Sequence, residues 1–246
     1  MPDEKQQKLL TDAREMLKVS CMARFGFSYE PAPPMPRFGP RSMTDLRYGI
    51  HDDKAVARYG YKPPVDLKEV RRQERLALEA TTLGPEEEAV MTGGVGSDKP
   101  LKTGVPSGGC AGEAYRAVVG TGEAESTLAM DLGNQAYVKA QQEPKVKKAF
   151  SGWVSCMAAE GFRYQEPMAA VDDPKFASDI PSAVEIATAK ADLKCRDKHQ
   201  VAEIWHAAEV AIQQRLVEEN SERLTAVKND LDQAVKKASD VLAKNG

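Results

Sequence analysis

The sequence predicts a mainly α protein of two related helical halves, joined by Pro/Gly-rich loops and ending in a long C-terminal helix. The phrase Cys-Met-Ala-x-x-Gly-Phe-x-Tyr occurs twice, at residues 21–29 and 156–164. The remaining two cysteines, Cys110 and Cys195, each follow one copy, which suggests that each half is closed by its own disulfide. Residues 182–245 contain neither proline nor glycine and give the longest helical signal in the chain.

The first half begins with an amphipathic helix over residues 4–24, whose apolar side chains recur at helical spacing and which Gly26 ends. Residues 31–43 hold five prolines, which exclude regular helix and central strand. A short helix from Asp52 to Arg58 follows, with Asp52 as its N-cap and Gly60 as its end.

Residues 67–80 form a second predicted helix in the first half. The glycine-rich residues 92–112 are expected to form a long loop that carries Cys110 near its end. A further helix is expected over roughly residues 123–142.

The second half begins at Pro144 with an apolar stripe that leads into the second copy of the repeat and stops at Gly161. Residues 165–181 contain three prolines and are expected to form a proline-bearing connection that matches the stretch after the first copy. The repeated unit is therefore a helix, a cysteine near its end, a Gly-Phe-x-Tyr turn and a proline-rich connection.

The C-terminal region carries two apolar seams. Residues 193–216 place Trp205 and its neighbours on one side, and a seam from Val210 to Val241 alternates steps of three and four with Asn220 at one core position. A single helix here would exceed the dimensions of a compact chain of this size. We therefore expect the helix either to break near Asn220 or to project beyond the body. We also expect it to pack against helix 4–24 or to serve as a face for a partner or for self-association.

The repeat divides the chain into residues 1–143 and 144–246, as two halves or as one intertwined domain. Four cysteines allow three disulfide pairings. Pairing Cys21 with Cys110 and Cys156 with Cys195 makes each half self-contained, and two disulfides indicate an oxidising compartment. Four unpaired thiols in a cytoplasmic protein are the alternative.

Composition and charge argue against nucleic-acid-binding and membrane-spanning proteins. The 246 residues carry a formal charge of −3, which indicates no nucleic-acid partner, and no apolar run is long enough to span a bilayer. The first ten residues lack the basic start and apolar stretch of a signal peptide. A cytoplasmic protein and a mature exported domain, with any signal or lipid-anchor segment removed, both fit this beginning.

The expected binding surfaces are the Pro/Tyr-rich stretch 31–63 and the glycine-rich loop 92–112, because loops on a rigid scaffold usually carry binding. The candidate binding residues all lie in the first stretch: Phe38, Arg41, Tyr48, Tyr59 and Tyr61. No catalytic motif is found, so we expect a non-enzymatic binding protein without a cofactor.

Cys195, His199 and His206 form the alternative site, a metal-binding or redox module. On one helix, steps of four and seven residues point these side chains in similar directions, and a thiolate with two imidazoles suits zinc. A solvated polar flank beside the core face explains the same residues without a metal.

Several segments resemble uncharacterised secreted proteins or lipoproteins of actinobacteria that carry the repeated motif. The segments are CMARFGFSYEP, DLRYGIHDDKAVARYGY, PSGGCAGEAYRAV, WVSCMAAEGFRYQEP and DLKCRDKHQVAEIWHAAEVAIQQRLVEEN. Together they span most of the chain up to about residue 220. The resemblance implies export, association with the cell envelope and work beside ABC-type export systems with periplasmic-adaptor-like partners. It supplies no catalytic residue.

Overall fold

The computed structural model describes residues 2–32, 45–94, 102–120, 122 and 126–245, with the side chains of Ala80, Thr81 and Asn245 left out. These residues form helices without any strand, which confirms the mainly α prediction. The α-helices are α1 (Glu4–Arg24), α2 (Asp53–Tyr59), α3 (Leu67–Thr81), α4 (Pro85–Thr92), α5 (Gly109–Val118), α6 (Leu128–Ala140), α7 (Pro144–Ala159), α8 (Pro167–Val171), α9 (Ala183–Lys198), α10 (Val201–Glu219) and α11 (Ser221–Asn245). A short 3₁₀ helix spans Pro174–Phe176.

Local capping chemistry sets the beginnings of α1 and α2. The Asp3 carboxylate accepts the backbone N–H of Gln6 at 2.8 Å, and the Gln6 side chain accepts the N–H of Asp3 at 2.9 Å, which closes a capping box. Asp52 accepts the N–H of Ala55 at 3.0 Å, so its predicted role as the N-cap of α2 is confirmed.

The repeated phrase encodes the same helix end twice. At the end of α1, the N–H of Phe27 donates to the carbonyl of Met22 at 3.1 Å, and that of Gly26 donates to Ala23 at 3.0 Å. In the second copy, Phe162 donates to Met157 at 2.9 Å and Gly161 to Ala158 at 3.1 Å. Gly26 and Gly161 have φ values of 82° and 92°, so both copies form a Schellman motif.

The chain forms two compact units. The first comprises Met1–Met35, Arg72–Met130 and Asn220–Gly246, and the second comprises Pro36–Arg71 and Asp131–Glu219. Each unit therefore holds one copy of the repeat, but the units alternate along the chain. The predicted halves, residues 1–143 and 144–246, have different bounds: α11 belongs to the unit with the first copy of the repeat, and α2 belongs to the unit with the second.

The first unit packs α1 against α5 and α11. Its apolar core joins Leu10 and Ala13 of α1 to Val118 of α5 and to Leu231 and Ala234 of α11, all of them buried. A second cluster surrounds the disulfide between Cys21 and Cys110 and includes Met22, Val90 and Met91.

The second unit packs α7 against α9 and α10. Trp153 and Trp205 are fully buried and anchor two adjacent clusters. The disulfide between Cys156 and Cys195 lies in the Trp153 cluster, beside Met157. Both predicted disulfides are thus present, and no cysteine is free.

One expectation about the connections is wrong, and two connections contain short helices that were not predicted. Cys110 lies in the first turn of α5 rather than in a loop, and α4 occupies the stretch just before the glycine-rich residues. The connection 165–181 contains α8 and the 3₁₀ helix, because Pro167 and Pro174 occupy first-turn positions where a missing N–H costs nothing.

The C-terminal region forms three helices, the last of which, α11, is the long C-terminal helix that the sequence predicts. The predicted break near Asn220 is confirmed, whereas the break near Gln200 was not predicted. Gln200, with φ of 50°, separates α9 from α10, and Asn220 separates α10 from α11. Asn220 therefore lies between helices and not at a core position of a continuous coiled coil. No helix in the described ranges is long and apolar enough to cross a membrane.

Candidate functional site

Residues 45–64, called the strap from here on, are held on α9 and α10 in the second unit. The helix α2 lies within the strap and packs on α9, where Val56 contacts a cluster with Ala189 and Leu193. The apolar contact is small, and the strap is also held by hydrogen bonds to three buried carboxylates: Glu185, Asp192 and Glu209.

Glu209 holds the beginning of the strap. Its carboxylate accepts hydrogen bonds from Arg47 Nη2 at 2.7 Å and Arg47 Nε at 2.9 Å, and from the Tyr48 hydroxyl at 2.8 Å. The Tyr48 ring contacts Trp205 edge-on, with centroids 5.5 Å apart. Burial and the bond to Glu209 raise the pKa of Tyr48, so its phenol remains a donor at neutral pH.

Asp192 holds the end of the strap. It is fully buried and accepts hydrogen bonds from Arg196 Nε at 2.6 Å, Trp153 Nε1 at 2.7 Å and the Tyr61 hydroxyl at 3.1 Å. Burial raises the pKa of Asp192, against the opposing effect of the Arg196 guanidinium. The Tyr61 phenol also has a raised pKa, first because of burial and then because of Asp192.

The Arg196 guanidinium ties this carboxylate to the strap backbone. Its Nη1 donates to the carbonyl of Tyr48 at 2.5 Å, and its Nη2 donates to the carbonyl of Pro167 at 2.8 Å. Gly49 lies directly against the guanidinium at φ of 100°, so any Cβ there would overlap Arg196. Only glycine satisfies both the backbone angle and the close approach.

Glu185 supports the turn that follows α2. Its Oε1 accepts the backbone N–H of Tyr61 at 3.2 Å and lies 3.5 Å from Lys62 Nζ. The Lys62 ammonium also donates to the carbonyl of Phe176. A buried carboxylate is tolerated only when it is paired and hydrogen-bonded, and each of the three acids under the strap meets that condition.

A cleft of about 670 Å³ opens within the strap. It is lined by residues 45–46, 50–56, 60–62 and 64. Its apolar lining includes Leu46, Ile50 and Val56, and its polar lining includes three aspartates, the His51 imidazole, Lys54 and Lys62. The volume lies within the usual range of small-ligand sites, and the mixed lining is typical of them.

The structure places the described members of the predicted binding set at different points of the strap. Tyr61 lines the cleft, whereas the Tyr48 hydroxyl is bonded to Glu209 beneath the strap. Tyr59 is half-buried with the Arg58 guanidinium 5.0 Å from its ring centroid. Phe38 and Arg41 lie outside the described residues, as does part of the loop 92–112. The binding role of these residues stays a prediction.

The alternative metal set is not assembled. Cys195 is bonded to Cys156 and so has no thiolate to offer a metal. His199 is the C-cap of α9, and its imidazole lies against Gly152 of α7. His206 lies on α10, and its ring centroid is 5.7 Å from that of Tyr48. Within the described ranges, no cluster of three or more His, Cys, Asp or Glu side chains is placed to hold a metal ion.

The buried acids that hold the strap were not among the predicted site residues. Glu209 contacts Arg47 across 162 positions, and Tyr61 contacts Asp192 across 131, so no local pattern connects them. A signal was nevertheless present in α10. Glu209 stands four residues after Trp205 and three before Ile212, which is an apolar position of the helix occupied by an acid.

No protein-family model, curated protein or solved structure matches this chain.

Proposed function

We propose that this chain is a non-enzymatic binding or accessory protein of the cell envelope, located outside the cytoplasm. Its ligand is a peptide, a small molecule or an exposed segment of a partner protein. Following the resemblance noted in the sequence, we include in this proposal export from an actinobacterial cell, lipid anchoring and work beside an ABC-type export system.

The two disulfides support the compartment. Disulfides form and persist in oxidising environments and are rare in cytoplasmic proteins. The loops between the paired cysteines have sequence separations of 89 and 39, and chain-entropy estimates give roughly 3–5 kcal/mol of stabilisation for such closures.

The cleft in the strap is the observation that carries the binding proposal. A binding site works best when its walls are already ordered, since ordering them on binding lowers affinity. Here the strap is fixed at its beginning by the Arg47–Glu209 ion pair and at its end by the hydrogen bond from Tyr61 to the buried Asp192. The cleft between these two anchors has a volume of about 670 Å³. Cleft-lining residues are thereby presented on a preorganised frame.

The test is fluorescence anisotropy of the native protein with three labelled hexapeptides, in which leucine alternates with glutamine, glutamate or lysine. At least one peptide should bind, and Ala55→Trp should weaken that binding at least tenfold, because Ala55 lines the cleft and an indole fills it. The matched control is Ala57→Trp, since Ala57 is exposed on the same helix outside the lining. This control should leave affinity unchanged.

Equal loss of affinity in both tryptophan variants would place the binding elsewhere on the protein. Binding of no peptide at millimolar concentration would remove the peptide-binding form of the proposal.

A further inference from the structure

The charges around the cleft are unequal. Three carboxylates line it, those of Asp45, Asp52 and Asp53, against the ammonium groups of Lys54 and Lys62. The Lys62 ammonium is already paired inside the protein, because it donates to the carbonyl of Phe176 and lies 3.5 Å from the buried Glu185 carboxylate. Among the described lining residues, Lys54 is then the cation that faces Asp52 and Asp53 at the mouth, while Asp45 contacts His51.

Two of these aspartates are well placed to meet a ligand. Asp52 and Asp53 are exposed at the start of α2. The backbone N–H of Ala55 holds the pKa of Asp52 below its usual range, so its carboxylate stays charged at neutral pH. Asp45 contacts the His51 imidazole, with Oδ1 at 3.1 Å from Nε2.

Apolar side chains lie beside this acidic rim. Leu46 is 39% exposed although it is a large aliphatic residue, and Ile50 and Pro64 line the same cleft. An occupant that suits both features has a positive charge next to an apolar group.

We propose that the cleft binds a cationic, partly apolar peptide segment, in which a lysine or arginine side chain meets the Asp52 and Asp53 carboxylates and a neighbouring aliphatic side chain covers Leu46. This inference rests on the proposed function and specifies its ligand class. An anionic segment would face three carboxylates, and opposite-sign surfaces both steer association and exclude like-charged partners.

An organic cation suits this rim better than a metal ion. Over the part of the chain that the structure describes, no cluster of carboxylates and imidazoles has metal-ligand placement. An ammonium or guanidinium group needs only nearby carboxylates and tolerates water between the partners.

The test compares the leucine–lysine and leucine–glutamate hexapeptides on the wild-type protein and on Asp52→Asn/Asp53→Asn. The lysine peptide should bind more tightly than the glutamate peptide by at least tenfold. The double variant should weaken lysine-peptide binding by about three- to tenfold, which corresponds to two exposed ion pairs. Asparagine retains the N-cap of α2, so the fold of the strap is preserved.

The matched control is Glu218→Gln/Glu219→Gln, which makes the same change in net charge at exposed positions of α10 away from the cleft. Unchanged affinity in this control, with loss in the aspartate variant, supports a local contact. Equal losses in both variants would overturn the proposed contact and leave only a general electrostatic attraction. Binding of the neutral or acidic peptide alone, still sensitive to Ala55→Trp, would overturn the cationic class while the cleft kept its binding role.

Discussion

At the residue scale, the strap is held by carboxylates whose burial is unfavourable unless they are hydrogen-bonded. Glu209 is 1% exposed and Asp192 is 0% exposed, yet each accepts three or more hydrogen bonds from named donors. A buried ion pair contributes little compared with an apolar replacement, but removing one partner leaves the other charge without compensation. The pairs therefore fix where the strap lies more than they add net stability.

Substitution of Glu209 by glutamine should be strongly destabilising. The variant leaves the Arg47 guanidinium without its carboxylate, so we expect the free energy of unfolding to fall by about 3 kcal/mol in urea denaturation. The matched control is Glu203→Gln on the same helix, where the side chain is exposed and the change should stay within about 0.5 kcal/mol. Similar losses in the two variants would contradict the anchoring role of Glu209.

Whether a site residue could be predicted depended on how close its partner lies in the sequence. Asp52 was predictable as a cap because its partner Ala55 lies three residues away. Arg47, Asp192 and Glu209 were not, because their partners lie across other elements and a single sequence carries no record of such pairing. Tyr61 was predicted for binding, and the structure places it both at the cleft and on Asp192.

At the element scale, the repeated phrase is explained by helix termination. The glycine adopts a left-handed conformation, and the phenylalanine N–H returns to the methionine carbonyl, so Cys-Met-Ala-x-x-Gly-Phe specifies the last turn and the exit of a helix. The final tyrosine is also used alike in both copies. Tyr29 lies between Glu15 and Lys18, and Tyr164 lies between Asp173 and Lys175.

Glycine-to-alanine substitutions distinguish this role from packing. Gly26→Ala and Gly161→Ala should each lower the free energy of unfolding by about 1–2 kcal/mol, because a Cβ meets no atom there and the whole cost is the left-handed conformation. Gly133→Ala is the control. Gly133 lies inside α6 with open space around it, so alanine should raise stability by about 0.5–1 kcal/mol.

Urea denaturation of the three variants measures these differences. A stabilising effect of alanine at position 26 or 161 would contradict the Schellman assignment.

Several of the helices that were predicted correctly have local signals at both ends. The helices α1, α2 and α7 combine an apolar stripe with a cap or first-turn proline and a terminal glycine. The helices α4 and α8 are only 8 and 5 residues long, too short for periodicity to identify. The break at Gln200 was missed because it occurs at a non-glycine residue with positive φ, which no breaker residue marks.

At the scale of the whole molecule, the two units share a helix end but differ in what the disulfide joins to it. Cys110 lies in the first turn of α5, whereas Cys195 lies in the last turn of α9. The first cysteine of each pair belongs to the repeat, while the second comes from surroundings that differ. In each unit the disulfide fixes a Schellman-terminated helix to a neighbouring helix. The presence of both disulfides supports the proposal that the protein lies outside the cytoplasm.

The most direct test of this account is a disulfide map of the native protein, alkylated without reduction, digested and analysed by mass spectrometry. We predict linked peptides for Cys21 with Cys110 and for Cys156 with Cys195, and no alkylated cysteine. Unreduced protein with alkylated thiols, or a link between Cys21 and Cys156, would contradict the separate closure of the two units and remove the main support for an extracytoplasmic role.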